Sequence, residues 1–121
     1  MIRDFIDIIK NNAVNNPNNI AVIDKGRKIN YKDFVKLVNS FSYQLNSIKR
    51  NPKVLFDLNQ SIEAYAMQAA VFNIAGTFCP LYPEAPLDRK STIADEFKPD
   101  IIVVERKNHI PAYKIGTATV L

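Results

Sequence analysis

Apolar residues recur along this chain in two rhythms, and the change between them separates helices from strands. Phe34, Leu37, Val38, Phe41, Leu45 and Ile48 stand three and four residues apart, which aligns them on one face of an α-helix. Asn30 precedes this stretch as a candidate N-cap, and Asp33 follows it where a carboxylate favours the helix dipole. Pro52 closes the segment. Upstream, Phe5, Ile8 and Ile9 predict a shorter amphipathic helix over about residues 3–13. The Asn-rich run around Pro17 is a loop by composition. Ile20 to Asp24 reads as a short strand, and Lys25-Gly26 as a hairpin turn leading into Lys28-Ile29-Asn30.

Beyond Pro52 the pattern alternates between strand and helix. Val54 to Leu58 is a compact apolar strand, and Ser61 starts a helix over about residues 62–74. That helix is Ala-rich and apolar nearly all round, so it is expected to lie buried between layers. Gly76 falls where a helix C-cap belongs. Thr77 to Leu81 follows as a strand, with Pro80 near its end, a position that suits a sheet edge or a strand terminus. Pro86 suits the first turn of a helix reaching about Phe97. Pro99 then separates it from Asp100 to Glu105, whose Ile-Ile-Val-Val core predicts a buried parallel strand. This order predicts an α/β fold: βαβ units in a mostly parallel sheet with packed helices, plus the N-terminal helix and hairpin. Residues 106–121 read as one more strand or a hairpin around Gly116, and the whole chain as a single domain.

Composition changes this picture little. The 121 residues suffice for one hydrophobic core, and 47% hydrophobic with 23% charged is ordinary for a globular domain. Its apolar runs are too short to span a bilayer, and the first residues lack the features of a secretory signal, so a cytoplasmic location is the default expectation. The net charge is +4 and the isoelectric point about 9.2. Basic residues are interleaved with acids and form no run of five, which favours a solvated Lys-rich surface over a nucleic-acid interface.

Candidate chemistry is sparse. Three glycines, Gly26, Gly76 and Gly116, permit no G-x-G-x-x-G or Walker-type phosphate loop. His109 is the only histidine and Cys79 the only cysteine, which removes His-based metal clusters and any intrachain disulfide. Cys79 lies inside a strand pattern, where a thiol behaves as a small buried hydrophobe. Asp95-Glu96 reads as a solvated pair at a helix end. Tyr31, Phe34, Phe41, Tyr43, Tyr65, Phe72, Phe78 and Tyr82 could suggest a ligand pocket, but their helical and strand spacing makes core packing the better explanation for most. The carboxyl ends of parallel strands are where such sheets hold ligands, which singles out Asn59 and Gln60 after one strand and Tyr82 and Glu84 after the next.

The order of pieces resembles the N-terminal part of the adenylate-forming, AMP-binding family, which includes nonribosomal peptide synthetase adenylation domains and acyl-CoA synthetases. The helix and Pro17, followed by Ile20-Ala21-Val22-Ile23-Asp24, is similar to that family's opening phrase. Ile29-Asn30-Tyr31-Lys32-Asp33-Phe34 resembles its "L-T-Y-x-E-L". The stretch from Phe72 to Pro83 resembles its second core motif, "L-K-A-G-G-A-Y-V-P-L-D-P", without gaps: Gly76, Pro80, Leu81 and Pro83 are identical. Asn73 stands for the motif Lys, Ala75 for its first Gly and Tyr82 for its Asp. Pro86 and Arg89 match the "P-x-x-R" that follows, and the resemblance runs over about residues 3–105. It implies largely architectural roles for Tyr31, Asp33, Gly76, Pro80, Leu81, Pro83, Pro86 and Arg89.

The same resemblance implies what these residues do not contain. The family's phosphate loop, ribose-binding Asp, hinge and catalytic Lys lie downstream of the strand ending near Glu105. The expectation is therefore a truncated or split N-terminal subdomain of an acid-activating ligase, with no catalytic, cofactor-binding or metal-binding residue of its own and inactive alone. ATP and Mg²⁺ are implied only for a completed enzyme. The expected partner is a second polypeptide or a homodimer burying an exposed apolar face, with a carrier protein as a further possibility and no nucleic acid or membrane. The alternatives are a non-catalytic interaction module derived from an adenylation domain, and a small independent α/β ligand-binding protein.

Overall fold

Alternation along two strands decides how the layers stack. In a computed structural model, which describes residues 2–104 and 119–120, β3 (Lys53–Asp57) turns Val54 and Phe56 to one side of the sheet and Leu55 to the other. β5 (Ile101–Val104) does the same, with Ile101 and Val103 on the first side and Ile102 on the second. Both faces are buried, as a parallel sheet requires.

The first face is covered by three helices. α1 (Ile2–Asn15), α2 (Tyr31–Ile48) and α3 (Ile62–Asn73) bring Ile6, Ile9, Phe34, Val38, Leu45, Ala66 and Ala70 against it. The second face is covered by α4 (Leu87–Phe97), where Ala94 meets Leu55, Leu81 and Ile102. With β4 (Thr77–Pro80) and β6 (Thr119–Val120), the sheet runs β4-β3-β5-β6, every neighbouring pair parallel. The crossover through α3 thus places β4 on one side of β3, the crossover through α4 returns from β4 past β3 to its other side, and β4 is an edge among the described residues. β1 (Ile20–Asp24) and β2 (Arg27–Asn30) form a separate antiparallel hairpin. Lys25 and Gly26 at its tip both have positive φ, 50° and 81°, the two-residue geometry that matches the strand twist. None of the described helices is long and apolar enough to cross a membrane.

Caps set the helix boundaries. The Asn30 side chain accepts the Asp33 N–H at 2.8 Å, and the Ser61 hydroxyl accepts the Ala64 N–H at 3.0 Å, so both predicted starts are realised. Pro86 sits one residue earlier than expected, as the N-cap itself. α3 is buried along Ile62, Ala66, Met67, Ala69, Ala70 and Val71, because it is wedged between α1, α2 and the sheet.

Two local expectations are corrected. On α1 the buried residues are Ile6 and Ile9, whereas Phe5 and Ile8 are 50% and 60% exposed. At the end of α3, Gly76 is not the left-handed residue. Ala75 is, with φ 57°; its N–H bonds to the Phe72 carbonyl and the Gly76 N–H to that of Val71, the paired closure of a Schellman motif. Gly76 is needed for a different reason. The Pro52 carbonyl accepts the Thr77 N–H at 2.8 Å, and a Cβ on residue 76 would stand 2.8 Å from that same oxygen. The absent side chain lets β4 start in register beside β3.

Of the predicted tail, Thr119–Val120 adds a strand beside β5. The remainder of that prediction, with His109 and Gly116, lies outside the described residues.

Candidate functional site

At the carboxyl ends of β3 and β4 the chain leaves the sheet in two loops, and a cleft of about 530 Å³ opens between them. After β3, Leu58, Asn59 and Gln60 run to the Ser61 cap, which fixes where α3 begins. After β4, the Leu81 N–H bonds to the Phe56 carbonyl at 2.7 Å, keeping the chain beside β3 until Tyr82 and Pro83 turn away. Phe56 and Phe78 form the base of the cleft, ring centres 4.6 Å apart and nearly perpendicular. Tyr65 and Gln68 of α3 form one wall and Tyr82 the other, while Asp24 and Lys25 of the hairpin reach its rim.

Two ion pairs hold the loops in place. Arg27 donates from both terminal nitrogens to Glu63, at 3.0 and 2.6 Å, clipping the hairpin to the first turn of α3. The hydrogen bond from Arg27 holds the Glu63 carboxyl below the usual carboxylate range, and the same bond raises Arg27. On the other side of the sheet, Lys90 of α4 donates to Asp57 at 3.1 Å and to the Pro83 carbonyl at 2.7 Å. Those two charged side chains are only 13% and 14% exposed. One ammonium therefore ties the end of β3 to the loop after β4.

The structure brings Asn59, Gln60 and Tyr82 together in the cleft, as their strand-end positions suggest. Glu84 does not line it and accepts the Tyr82 hydroxyl at 3.1 Å. Gln68, Asp24 and Lys25 were not anticipated, and Tyr65 only among aromatic residues assigned mostly to the core; their positions depend on how α3 and the hairpin pack, and no local pattern reports that. The Asp57–Lys90 pair was missed for the same reason.

The motif residues take structural places. Tyr31 is half-buried against the helical core and its N–H bonds to the Asn19 carbonyl, while Asp33 supplies the capped N–H of α2. Pro80 ends β4, Leu81 is buried against α4, and Pro83 receives Lys90 through its carbonyl. Pro86 caps α4, and Arg89 on its first turn is exposed. Asp95 and Glu96 are exposed too. Burial pushes the Cys79 thiol up, opposite to what a reactive thiolate requires. Among the described residues no three His, Cys, Asp or Glu side chains are grouped to hold a metal ion. The cleft offers amides, phenols and aromatic faces, and carries no nucleophile–base pair among the described residues.

A family model described as AMP-binding enzyme matches residues 9–119. The chain is 27% identical over 97 residues to malpibaldin synthetase of Mortierella alpina, covering 78% of this chain and 2% of that protein. It is 28% identical over 99 residues to the nonribosomal peptide synthetase nlsA of Emericella nidulans, covering 80% of this chain and 2% of that one. Among solved structures, the Klebsiella oxytoca NpsA N-terminal subdomain in complex with 3-hydroxyanthranilyl-AMSN superposes with a TM-score of 0.80 at 19% identity. That match takes in 96% of this chain and 30% of the other. VinN gives a TM-score of 0.78 at 17% identity, over 84% of this chain and 26% of its own. In these matches the likeness covers 78–96% of this chain and 2–30% of the other protein.

Proposed function

The chain belongs to the AMP-binding enzyme family, and from that premise we propose that it is a scaffold portion of an adenylation domain, inactive alone and completed by a second polypeptide. The whole enzyme would activate an amino acid or another carboxylic acid with ATP. The observation that carries this reading is the asymmetry of the structural match: 96% of this chain corresponds to 30% of a solved adenylation N-terminal subdomain.

The chemistry supports the same division. Adenylation needs a cradle for the triphosphate and cations against the charge that develops as the carboxylate attacks the α-phosphate. The described residues do not provide that seat. Gly26 forms a hairpin tip and Gly76 a helix end against Pro52, so neither belongs to a phosphate loop. The residues that hold ATP and Mg²⁺ are assigned to the completing polypeptide, and no catalytic step is assigned to this one. What this chain contributes is position: a parallel sheet whose strand ends are tied by Lys90 and whose hairpin is clipped by Arg27.

The completing chain would cover apolar surface that this one leaves open. Phe5, Ile8, Ile23 and Leu87 are each at least half exposed, and β4 is a sheet edge with no strand on its outer side among the described residues. The test is co-elution on size exclusion with a polypeptide that starts at the family's phosphate loop and carries the rest of the domain. A one-to-one complex is expected. Separate elution of two folded chains would overturn the reading. Binding of a carrier protein in the absence of any completing chain would favour the interaction-module alternative instead.

A further inference from the structure

The cleft at the ends of β3 and β4 has features that the scaffold reading leaves unused. Its volume of about 530 Å³ lies within the range of sites for small organic molecules, roughly 300–1,000 Å³. Four aromatic rings, Phe56, Tyr65, Phe78 and Tyr82, line it. Gln60, Tyr65 and Gln68 bring two amides and a phenol to the same space, and none of the three side chains hydrogen-bonds another described residue. A primary amide both donates and accepts, so this set is matched by a ligand edge that does both. The rim charges of Asp24 and Lys25 are adjacent and opposite in sign; they favour neither an anion nor a cation.

We infer that this cleft binds a flat, uncharged aromatic molecule that carries a primary amide or an equivalent neighbouring donor and acceptor. The ring sits among the aromatic side chains, and the polar edge faces Gln60 and Gln68. This goes beyond the scaffold reading and does not rest on it.

Saturation-transfer NMR on the full chain tests it, with benzamide as the probe and benzoate, benzylammonium and toluene as comparators. Benzamide is expected to bind at least about tenfold more tightly than each comparator, the size of one hydrogen-bonded edge against a missing or charged one. Gln60→Leu, Gln68→Leu and Tyr65→Phe are each expected to weaken benzamide roughly fivefold while leaving the amide spectrum of the folded chain intact. Toluene bound as well as benzamide would overturn the inference by reducing the site to apolar adsorption. No benzamide saturation at all would overturn it, and so would a loss that spares Gln60→Leu, because Tyr65 and Gln68 also line a smaller apolar groove beneath α1 whereas Gln60 does not. Adenylation by the isolated chain would sink the scaffold reading and leave this result standing.

Discussion

Two adjacent residues at the end of α3 show how one motif divides its work. Ala75 holds a left-handed backbone, φ 57°, which costs a residue with a Cβ about 1–2 kcal/mol. The extra freedom of glycine in the unfolded chain returns part of that. Ala75→Gly, which restores the glycine found in the motif that this stretch resembles, is expected to stabilise the fold by about 0.5–1 kcal/mol in urea denaturation. Gly76→Ala goes the other way. Its Cβ would meet the Pro52 carbonyl at 2.8 Å, and Pro52 is buried and already bonded to Thr77. A loss of about 1–3 kcal/mol is expected, the usual scale of overpacking. The sequence marks Gly76 as structural, but the reason differs from a C-cap: the constraint comes from Pro52, a residue far away along the chain. Lys90 is a second residue-scale determinant. Lys90→Met removes one charged hydrogen bond from Asp57, and a loss of about 1–3 kcal/mol is expected, visible as a lower urea midpoint at pH 7.

At the scale of elements, the hairpin and α3 are joined by the Arg27–Glu63 pair. Because that bond depresses the Glu63 carboxyl, the unfolded chain binds more protons than the folded one in the acid range. Its contribution is therefore complete above the unfolded carboxylate value, about 4.3, and is lost as pH falls through the lower folded value. Glu63→Gln is expected to flatten this part of the stability-against-pH curve and to speed hydrogen exchange in β1 and β2, and added salt should narrow the difference from the parent chain. An acid limb equally steep in both proteins would contradict that.

Elements were the most legible level of the sequence. The α2 stripe, the Asn30 and Ser61 caps, the Lys25-Gly26 turn and the strand–helix alternation after Pro52 all have local causes, and all are present. The buried side of α1 was not readable. Phe5, Ile6, Ile8 and Ile9 are apolar within five residues, so periodicity alone cannot choose between faces, and packing against α2 and α3 does. Ser42 was missed likewise. It is buried between helices because its hydroxyl donates to the Val38 carbonyl and accepts from Asn73, whose own carbonyl accepts Lys10. This polar chain across three helices has no signature along the sequence. In the cleft, Asn59, Gln60 and Tyr82 follow from strand order, whereas Tyr65, Gln68 and the hairpin rim follow only from tertiary packing.

At the scale of the molecule, a parallel sheet with both faces covered is a stable base, while its β4 edge and scattered exposed apolar residues are left for something else to cover. The matched relatives extend far beyond the segment that this chain matches. Under the proposed function, catalysis is a property of the completed domain. ATP–pyrophosphate exchange tests this most directly, measured for the chain alone, for the completing polypeptide alone and for the two mixed, across a panel of amino and aryl acids. Exchange is expected only in the mixture. Exchange by the purified 121-residue chain alone would contradict the account.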